Sequence, residues 1–458
     1  MYRIRQLLLL IGDLAALYLG LYLALIIRYQ RTPGEELIKL LPSMGGLFLI
    51  ALIISFITGL YDLTRAKNSW RFFQRVAISA IVWMLAGVLY FYINPGNYLT
   101  PKTILALTAL CGFGLIAIWR YFHNKFLSNI ILKTNVVFVG ITAETIELIK
   151  NINNNPQIGY QTIGIVDTEK NILPEELKNI PVTTNLGELK NITKQSIQII
   201  VIAPHLVKNN NILKELYTYL SKQTEMVDLA KFYEDIMGRI PPFTFSESWF
   251  LTNLHEQQKK IYDRFRILID YILGILLAIF FVITFPFVTI AIKITSRGPL
   301  FFIQERIGRN GKPFNMYKYR TMMKLNANGS AETDGPQFAE KKDRRITAIG
   351  RILRRTRIDE VPQFINILKG EMSVIGPRPE RPEFVKQLTE AMPFYALRHL
   401  VKPGLTGWAQ LKSGYYGTIE ENLRKLEYDL YYIKNRGPLL DAIILLRTIN
   451  VVVRMIGR

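Results

Sequence analysis

The sequence predicts a membrane α and α/β protein. It should carry four transmembrane helices, a Rossmann-like α/β domain, and a C-terminal domain held to the bilayer by a fifth apolar helix. Three observations predict this. Five stretches of the 458 residues are apolar enough for lipid. Between residues 134 and 230, buried-type strand runs alternate with helical ones. The fifth apolar stretch is basic at both ends, which places both ends on one side of a membrane.

The first four runs cover 7–27, 44–60, 76–93 and 103–119, each about the length that crosses a hydrocarbon core. They define a four-helix transmembrane domain over 1–120. Basic residues orient it. Arg3, Arg5, Arg65, Lys67, Arg71, Arg75, Arg120 and Lys125 lie on one side, and Arg28, Arg31, Lys39 and Lys102 on the other. Eight against four puts the N-terminus and everything after residue 120 on the cytoplasmic side. No small-residue cleavage site follows the first run, so it reads as a retained helix and not a signal peptide. Asp13 inside that run is costly in lipid and should face another helix.

Residues 134–230 follow, with strands expected at 135–141, 160–168, 197–204 and 225–230 and helices at 143–152 and 211–223. The first turn, GITAET, has one glycine where a dinucleotide fingerprint has three, so this domain is expected to carry no dinucleotide. A linker with PPFTF and SESWF spans 231–258, and the last domain covers 259–458. Its apolar run, 267–292, is flanked by Arg264 and Arg266 before and by Lys293 and Arg297 after. With Pro286 inside it, a helix that enters, kinks and returns to the same face is expected, with a kinked helix that crosses as the alternative.

Charge narrows the partners. The net charge is +21, and from Lys259 onward 34 Lys and Arg face 18 Asp and Glu. Beside membrane helices such an excess points to lipid and phosphorylated substrates, not to nucleic acid. Cys111 is the single cysteine and the four histidines are scattered, so a disulfide within the chain and a cysteine or HExxH metal centre are excluded. Metal chemistry here would use carboxylates and phosphate oxygens, which suit Mg²⁺.

The densest cluster is RRTRIDEVPQ, residues 354–363, where Asp359 and Glu360 follow a basic run. Alone, an Asp-Glu pair is usually a solvated helix face. Here ITAIGRILRRTRI alternates apolar and basic positions at helical spacing, as for a helix lying among headgroups. In GPRPERPEF, Arg378 stands between two prolines that stiffen its backbone, a useful mount for a planar fork meeting phosphate. A plain structural turn is the alternative.

QERIGRNGKPFNMYKYRTM (304–322), DRRITAIGRILRRTRIDEVPQFINILKGEMSVIGPRPERPEF (343–384), VKPGLTGWAQL (401–411) and EYDLYYIKN (427–435) together resemble the bacterial sugar transferase family. Its members are polyprenyl-phosphate glycosyl-1-phosphate transferases. The resemblance runs through about 258–458, and the preceding helices and Rossmann-like domain look like the long form, typified by undecaprenyl-phosphate galactose and glucose phosphotransferases. It implies transfer of a sugar-1-phosphate from a UDP-sugar to undecaprenyl phosphate, giving undecaprenyl-diphosphate-sugar and UMP. That reaction starts exopolysaccharide, capsule, O-antigen or glycoprotein glycan assembly.

It also implies roles. Asp359 would be the nucleophile and Glu360 the acid that helps hold Mg²⁺ or orient phosphates. Arg354 matches an active-site arginine of the family. Lys318 and Arg320 match basic positions that could reach the acceptor or the diphosphate. Asp429 matches a further acid, read as metal support or as a structural hydrogen-bond acceptor. The family's anchor is a re-entrant helix; Phe285-Pro286 stands where smaller members often have Ser-Pro, with Thr284 as a substitute hydroxyl. Two other functions compete: a glycosyltransferase that releases UDP, and a non-catalytic scaffold or regulator of polysaccharide assembly. A homodimer through the membrane helices or the middle domain is compatible with the sequence.

Overall fold

Leucine- and isoleucine-rich runs with few interior breakers form four long helices: α1 Tyr2–Tyr29, α2 Glu35–Ile57, α3 Trp70–Ile93 and α4 Lys102–Phe122. The computed structural model describes residues 2–453 apart from 63–67, 94–101, 126–132, 170–176, 178, 189–195, 207–213, 217–223, 242–258, 324–344, 393 and 413–417. The chain divides into two units, Met1–Phe232 and Tyr233–Arg458. Several apolar helices make it a multi-pass membrane protein: these four, and one in the second unit, are long and apolar enough to cross a bilayer.

The four helices share a core in which Leu17 and Leu21 of α1 meet Leu47 and Phe48 of α2, Trp83 of α3 and Phe113 of α4. Trp83 satisfies its indole N–H on the Leu47 carbonyl at 2.7 Å, so the one polar atom of that ring is not left bare in the core. Helices α1 and α4 touch backbone to backbone, since a methyl group on Gly20 would lie 2.4 Å from the Gly112 Cα. That approach lets Asp13 meet a partner. Arg120 binds it with Nε at 3.0 Å and Nη2 at 2.6 Å, and the Tyr61 hydroxyl donates to it at 2.8 Å. Asp13 thus faces another helix, as expected. Arg120 differs from expectation: it is a buried residue of α4, not a loop charge, because only there can it neutralise the aspartate. Helix α2 also starts earlier than expected, with Pro42 inside it.

The first unit also holds a parallel sheet: β1 Thr134–Val139, β2 Tyr160–Val166, β3 Val182–Thr183, β4 Ile199–Ile202 and β5 Glu225–Asp228, in the order β3-β2-β1-β4-β5. Helix α5, Ala143–Asn154, crosses over after β1 and is capped by the Thr142 side chain. Strand β3 has no counterpart among the expected strands, because its two residues are too short for an alternation signal. Only 214–216 of the helix expected at 211–223, and 231–241 of the expected linker, fall within the described residues; the linker opens as the end of a helix, Leu229–Met237. Gly140 has φ +91, and a Cβ there would lie 2.7 Å from Ala203 Cβ and from Leu206 Cδ1. The lone glycine of the first turn therefore admits the chain's own 203–206 segment.

In the second unit, α6 spans Lys260–Thr295 and includes Pro286. Strands β6 Phe301–Ile307 and β7 Pro313–Tyr319 form an antiparallel hairpin. Helix α7, Ala348–Thr356, leads into a 3-10 turn at Ile358–Gln363 and the short α8, Phe364–Leu368. Strands β8 Ser373–Ile375 and β9 Gly404–Thr406 pair in parallel, and α9 Ile419–Asn435 and α10 Pro438–Val453 close the unit.

Helix α6 is fastened at both ends. Near its start, Asp270 accepts from the Val374 N–H and the Ser373 hydroxyl, both at 2.9 Å, while Arg266 donates to Ser373 and to the Ile375 carbonyl. Near its end, Val288 and Ile292 pack with Tyr319 and Leu353. Between them Phe281 stacks on Tyr319, with centroids 5.8 Å apart. Thr284 donates to the Phe280 carbonyl at 2.8 Å. The carbonyl that Pro286 leaves without an N–H is that of Val282, so Thr284 serves a different one.

Candidate active site

Two backbone devices place the acids. Thr347 caps α7 by accepting from the Gly350 N–H at 3.0 Å, and Arg357 ends the helix in the left-handed region at φ 61. The chain then tightens, so Asp359 and Glu360 sit in a 3-10 turn and not in an α-helix, as the spacing had suggested. Side chains one residue apart diverge by about 120° in such a turn. Both carboxylates are buried, yet they point to different surroundings.

Glu360 is caged. Its Oε1 accepts from Lys318 Nζ and Arg378 Nη2, each at 2.9 Å, and its Oε2 from Arg357 Nη1 at 3.3 Å. Burial alone would raise its pKa, but Lys318, Arg378 and Arg357 outweigh that and hold it well below the usual carboxylate range. Asp359 is the reverse. Its Oδ1 is buried and accepts no hydrogen bond. Burial and the Glu360 charge push its pKa up to about 6, against the pull of Lys318, Arg354 and Arg357. One acid organises cations, while the other is kept bare among them.

The cations come from three directions. Lys318 lies on β7, where it is mostly buried. Arg354, in the last turn of α7, fixes its guanidinium by donating from Nε to the Thr321 hydroxyl at 2.9 Å. Arg378 comes from the loop after β8. That loop is made rigid where Gly376 and Gly404 nearly touch: a Cβ on Gly404 would lie 2.0 Å from the Gly376 nitrogen. Behind it, Arg398 donates to the Arg378 carbonyl at 2.8 Å and Arg306 to the Pro379 carbonyl at 3.2 Å. Below the loop, Glu380 pairs with Lys425 and Arg306. Burial opposes ionisation there too, but Lys425, Arg398 and Arg306 bring Glu380 down to about 2.

The structure brings together Asp359, Glu360, Lys318, Arg354 and Arg378, and it adds Arg357. The signal for Arg357 was its place three residues before Glu360, hidden because a run of arginines gives each the same weight. Arg320 is employed elsewhere. It donates to the Arg297 carbonyl and to the Ser296 carbonyl and hydroxyl, each at 2.8 Å, tying the end of β7 to the end of α6. Asp429 binds Arg398, at 2.9 Å from Nη2 and 3.2 Å from Nε.

A metal held by Glu360 with Asp429 does not fit this arrangement. Both oxygens of Glu360 already accept from cations, and Asp429 is committed to Arg398. Among the described residues no group of three or more His, Cys, Asp or Glu is placed to hold a metal ion. What the site offers is four cations against two carboxylates, a positive excess that suits a diphosphate.

Comparison with known proteins gives this a family. A model described as bacterial sugar transferase matches residues 261–455, and one described as a CoA-binding domain matches 56–228. A UDP-glucose:undecaprenyl-phosphate glucose-1-phosphate transferase of Klebsiella pneumoniae is 32% identical over 331 residues, 69% of this chain and 67% of the relative. One of the same description from Xanthomonas campestris pv. campestris is 29% identical over 357 residues, 74% of this chain and 70% of the relative. A UDP-N-acetylgalactosamine-undecaprenyl-phosphate N-acetylgalactosaminephosphotransferase of Aeromonas hydrophila is 44% identical over 168 residues, 37% of this chain and 38% of the relative. The fold and site are those of a membrane-anchored transferase. The chain belongs to the bacterial sugar transferase family, in its long form.

Proposed function

We infer that the chain transfers a sugar-1-phosphate from a UDP-sugar to undecaprenyl phosphate through a covalent intermediate on Asp359, and so initiates a surface glycan. The observation that carries this reading is the bare Oδ1 of Asp359 inside a ring of cations. Buried carboxylate oxygens are normally satisfied, so one without a donor stands ready for another partner.

The chemistry balances in two displacements. An Asp359 oxygen bonds to the sugar-bearing phosphorus, and the bond from that phosphorus to the bridging oxygen breaks, so UMP leaves with the electron pair. An oxygen of undecaprenyl phosphate then bonds to the same phosphorus, and the Asp359 carboxylate leaves. Lys318, Arg354, Arg357 and Arg378 spread the charge that develops on the phosphoryl oxygens. Glu360 holds three of them in place. Mg²⁺ would be carried on the donor's diphosphate, where it would neutralise charge.

The names of the Klebsiella and Xanthomonas relatives support the acceptor and the class of reaction. For topology, we read α1 to α4 as four spans of the inner membrane and α6 as re-entrant, with both later domains cytoplasmic. Supporting this, Arg266–Asp270 and Val288–Ile292 pack on one domain, which a straight crossing would not allow. Helix α7 also presents exposed Ile352 beside Arg351 and Arg355, as suits a headgroup layer.

The test is a panel of radiolabelled UDP-sugars, including UDP-glucose and UDP-N-acetylgalactosamine, with undecaprenyl phosphate in detergent. Wild type should release UMP and carry an acyl-phosphate label on Asp359 before acceptor is added, and Asp359→Asn should do neither. Release of UDP would instead indicate a glycosyltransferase, and lipid product from Asp359→Asn at the wild-type rate would remove the nucleophile.

A further inference from the structure

Helix α7 carries three arginines, and they do not stand alike. Arg351 and Arg355 are exposed, whereas Arg354 is half-buried and donates from Nε to the Thr321 hydroxyl at 2.9 Å. Thr321 is itself buried, two residues past the end of β7 and three past Lys318.

The chain around Thr321 is built to bring that hydroxyl to the helix. Its carbonyl accepts from the Thr347 N–H at 3.0 Å, and the Met323 N–H donates to the Arg345 carbonyl at 2.9 Å. Residues 321–323 thus run antiparallel to 345–347, the approach to α7. Gly350 removes the last obstacle: a Cβ there would lie 2.1 Å from the Thr321 carbonyl oxygen, so only glycine lets the first turn of α7 lie this near. Residues four apart share a helix face, so Arg354, one turn beyond Gly350, comes to the Thr321 side chain. Thr321 holds both ends of α7, the start through its carbonyl and the last turn through its hydroxyl.

The reaction gives the second bond a use. Arg354 is one of the cations that draw the Asp359 carboxyl down against burial, beside Lys318 and Arg357. An arginine side chain has several rotatable bonds, and ordering them only when charge develops would oppose the reaction. With Nε held by a buried hydroxyl, that ordering is complete before substrate arrives, and the planar fork keeps one orientation. A neutral partner suits the task, since a carboxylate at this place would cancel the charge that phosphoryl oxygens need.

We propose that Thr321 is a positioning residue for the transfer: its hydroxyl sets the Arg354 guanidinium so that the fork meets the phosphoryl group attacked by Asp359. The assignment rests on the proposed reaction at Asp359, and it adds a residue that touches neither the substrate nor the reacting atoms.

The experiment uses the full chain in detergent with a radiolabelled UDP-sugar, and reads the single-turnover rate of UMP release before acceptor is added. Thr321→Ser and Thr321→Ala differ by the hydroxyl alone. Thr321→Ala should slow release about tenfold or more and leave the donor concentration at half-maximal rate within about threefold, while Thr321→Ser should stay within about threefold of wild type on both. Arg354→Lys keeps a charge but has no Nε–H; it should be slow by itself, and adding Thr321→Ala should slow it by less than about twofold further. Release by Thr321→Ala at the wild-type rate, Thr321→Ser as slow as Thr321→Ala, or an undiminished loss when Thr321→Ala is added to Arg354→Lys would each overturn the positioning role and leave the transfer reaction standing. No UMP release by wild type from any UDP-sugar would overturn the transfer reading and this role with it. Should Thr321→Ala not fold, Thr321→Val, which keeps the shape of the side chain, is compared with Thr321→Ser by the same criteria.

Discussion

Arg398 donates from Nη2 to the main-chain carbonyl of Arg378 at 2.8 Å, and the same nitrogen is held by the Asp429 carboxylate at 2.9 Å. The guanidinium that faces the catalytic acids is thus aimed from behind by a second, buried guanidinium, which is kept in place by its own carboxylate. Asp429→Asn removes the charge that holds Arg398. Breaking a buried pair costs about 3–5 kcal/mol, part of which neighbouring Glu380 offsets. The variant should melt lower and lose about tenfold or more in kcat. Raising Mg²⁺ separates the two roles considered for this acid: a positioning residue stays impaired at any Mg²⁺ concentration, whereas a metal ligand is partly rescued.

Asp359 links activity to pH. The carboxylate must be ionised to attack, so the proposed reaction should lose kcat/KM on the acid side with an apparent pKa of about 6. The same shift has a stability consequence whose sign is unusual for an acid. Its folded value lies above the ordinary 3.8, so the folded chain binds the proton more tightly than the unfolded chain does. The ionised form then costs the fold about 3 kcal/mol above pH 6. That cost fades as pH falls through 6 and is gone below 3.8. Asp359→Asn should therefore be inactive yet melt higher than wild type at pH 7.5, with the gap closing by about pH 4. A variant that melts lower at neutral pH would show the aspartate to be a structural acid.

Lys318 and Arg320, two residues apart, should behave oppositely. Lys318 touches Glu360, while Arg320 bonds the carbonyls of Ser296 and Arg297, just past the end of α6. Lys318→Met leaves Glu360 with Arg378 and Arg357, so the fold should hold while kcat falls by about 100-fold or more. Arg320→Met leaves those partly exposed carbonyls without their donor, at about 0.5–1.5 kcal/mol each, and should lower the melting temperature with kcat near wild type at temperatures where it stays folded. Equal losses of kcat in both variants would place Arg320 back among the phosphate ligands.

How far the sequence was legible follows the range of each interaction. The apolar helices and the strand–helix alternation rest on local pattern and were found, although α2 starts at Glu35 and not at 44, and the two-residue β3 was missed. The acid pair, Arg354, Arg378 and Lys318 were legible through motif order, and the structure groups them. What escaped was set by contacts distant in sequence or by local backbone state. Arg398 stands 31 residues from Asp429, and no periodicity connects them. The 3-10 turn at Ile358–Gln363 continues a helical spacing, and only the left-handed Arg357 marks the break. Arg120 ends an apolar run, where a cation reads as a membrane-edge charge. Its true role needed Asp13, 107 residues earlier.

That pair gives the last prediction. Arg120 and Asp13 are both essentially without solvent exposure, and Arg120 also donates to the Leu60 carbonyl at 3.1 Å and lies over the Tyr61 ring at 4.8 Å. Every strong group in the cluster has a partner, which is what makes it costly to open from one side. Asp13→Leu strands a cation between helices, and Arg120→Leu strands an anion; each should cost about 3–5 kcal/mol and reduce the amount of folded protein in membranes. With Asp13→Leu and Arg120→Leu combined, no charge is left to desolvate, so the double variant should recover much of the loss despite lacking both residues. A double-mutant cycle on melting temperature in detergent measures this. Strict additivity would mean the two side chains act independently, and would contradict the bidentate pairing between α1 and α4.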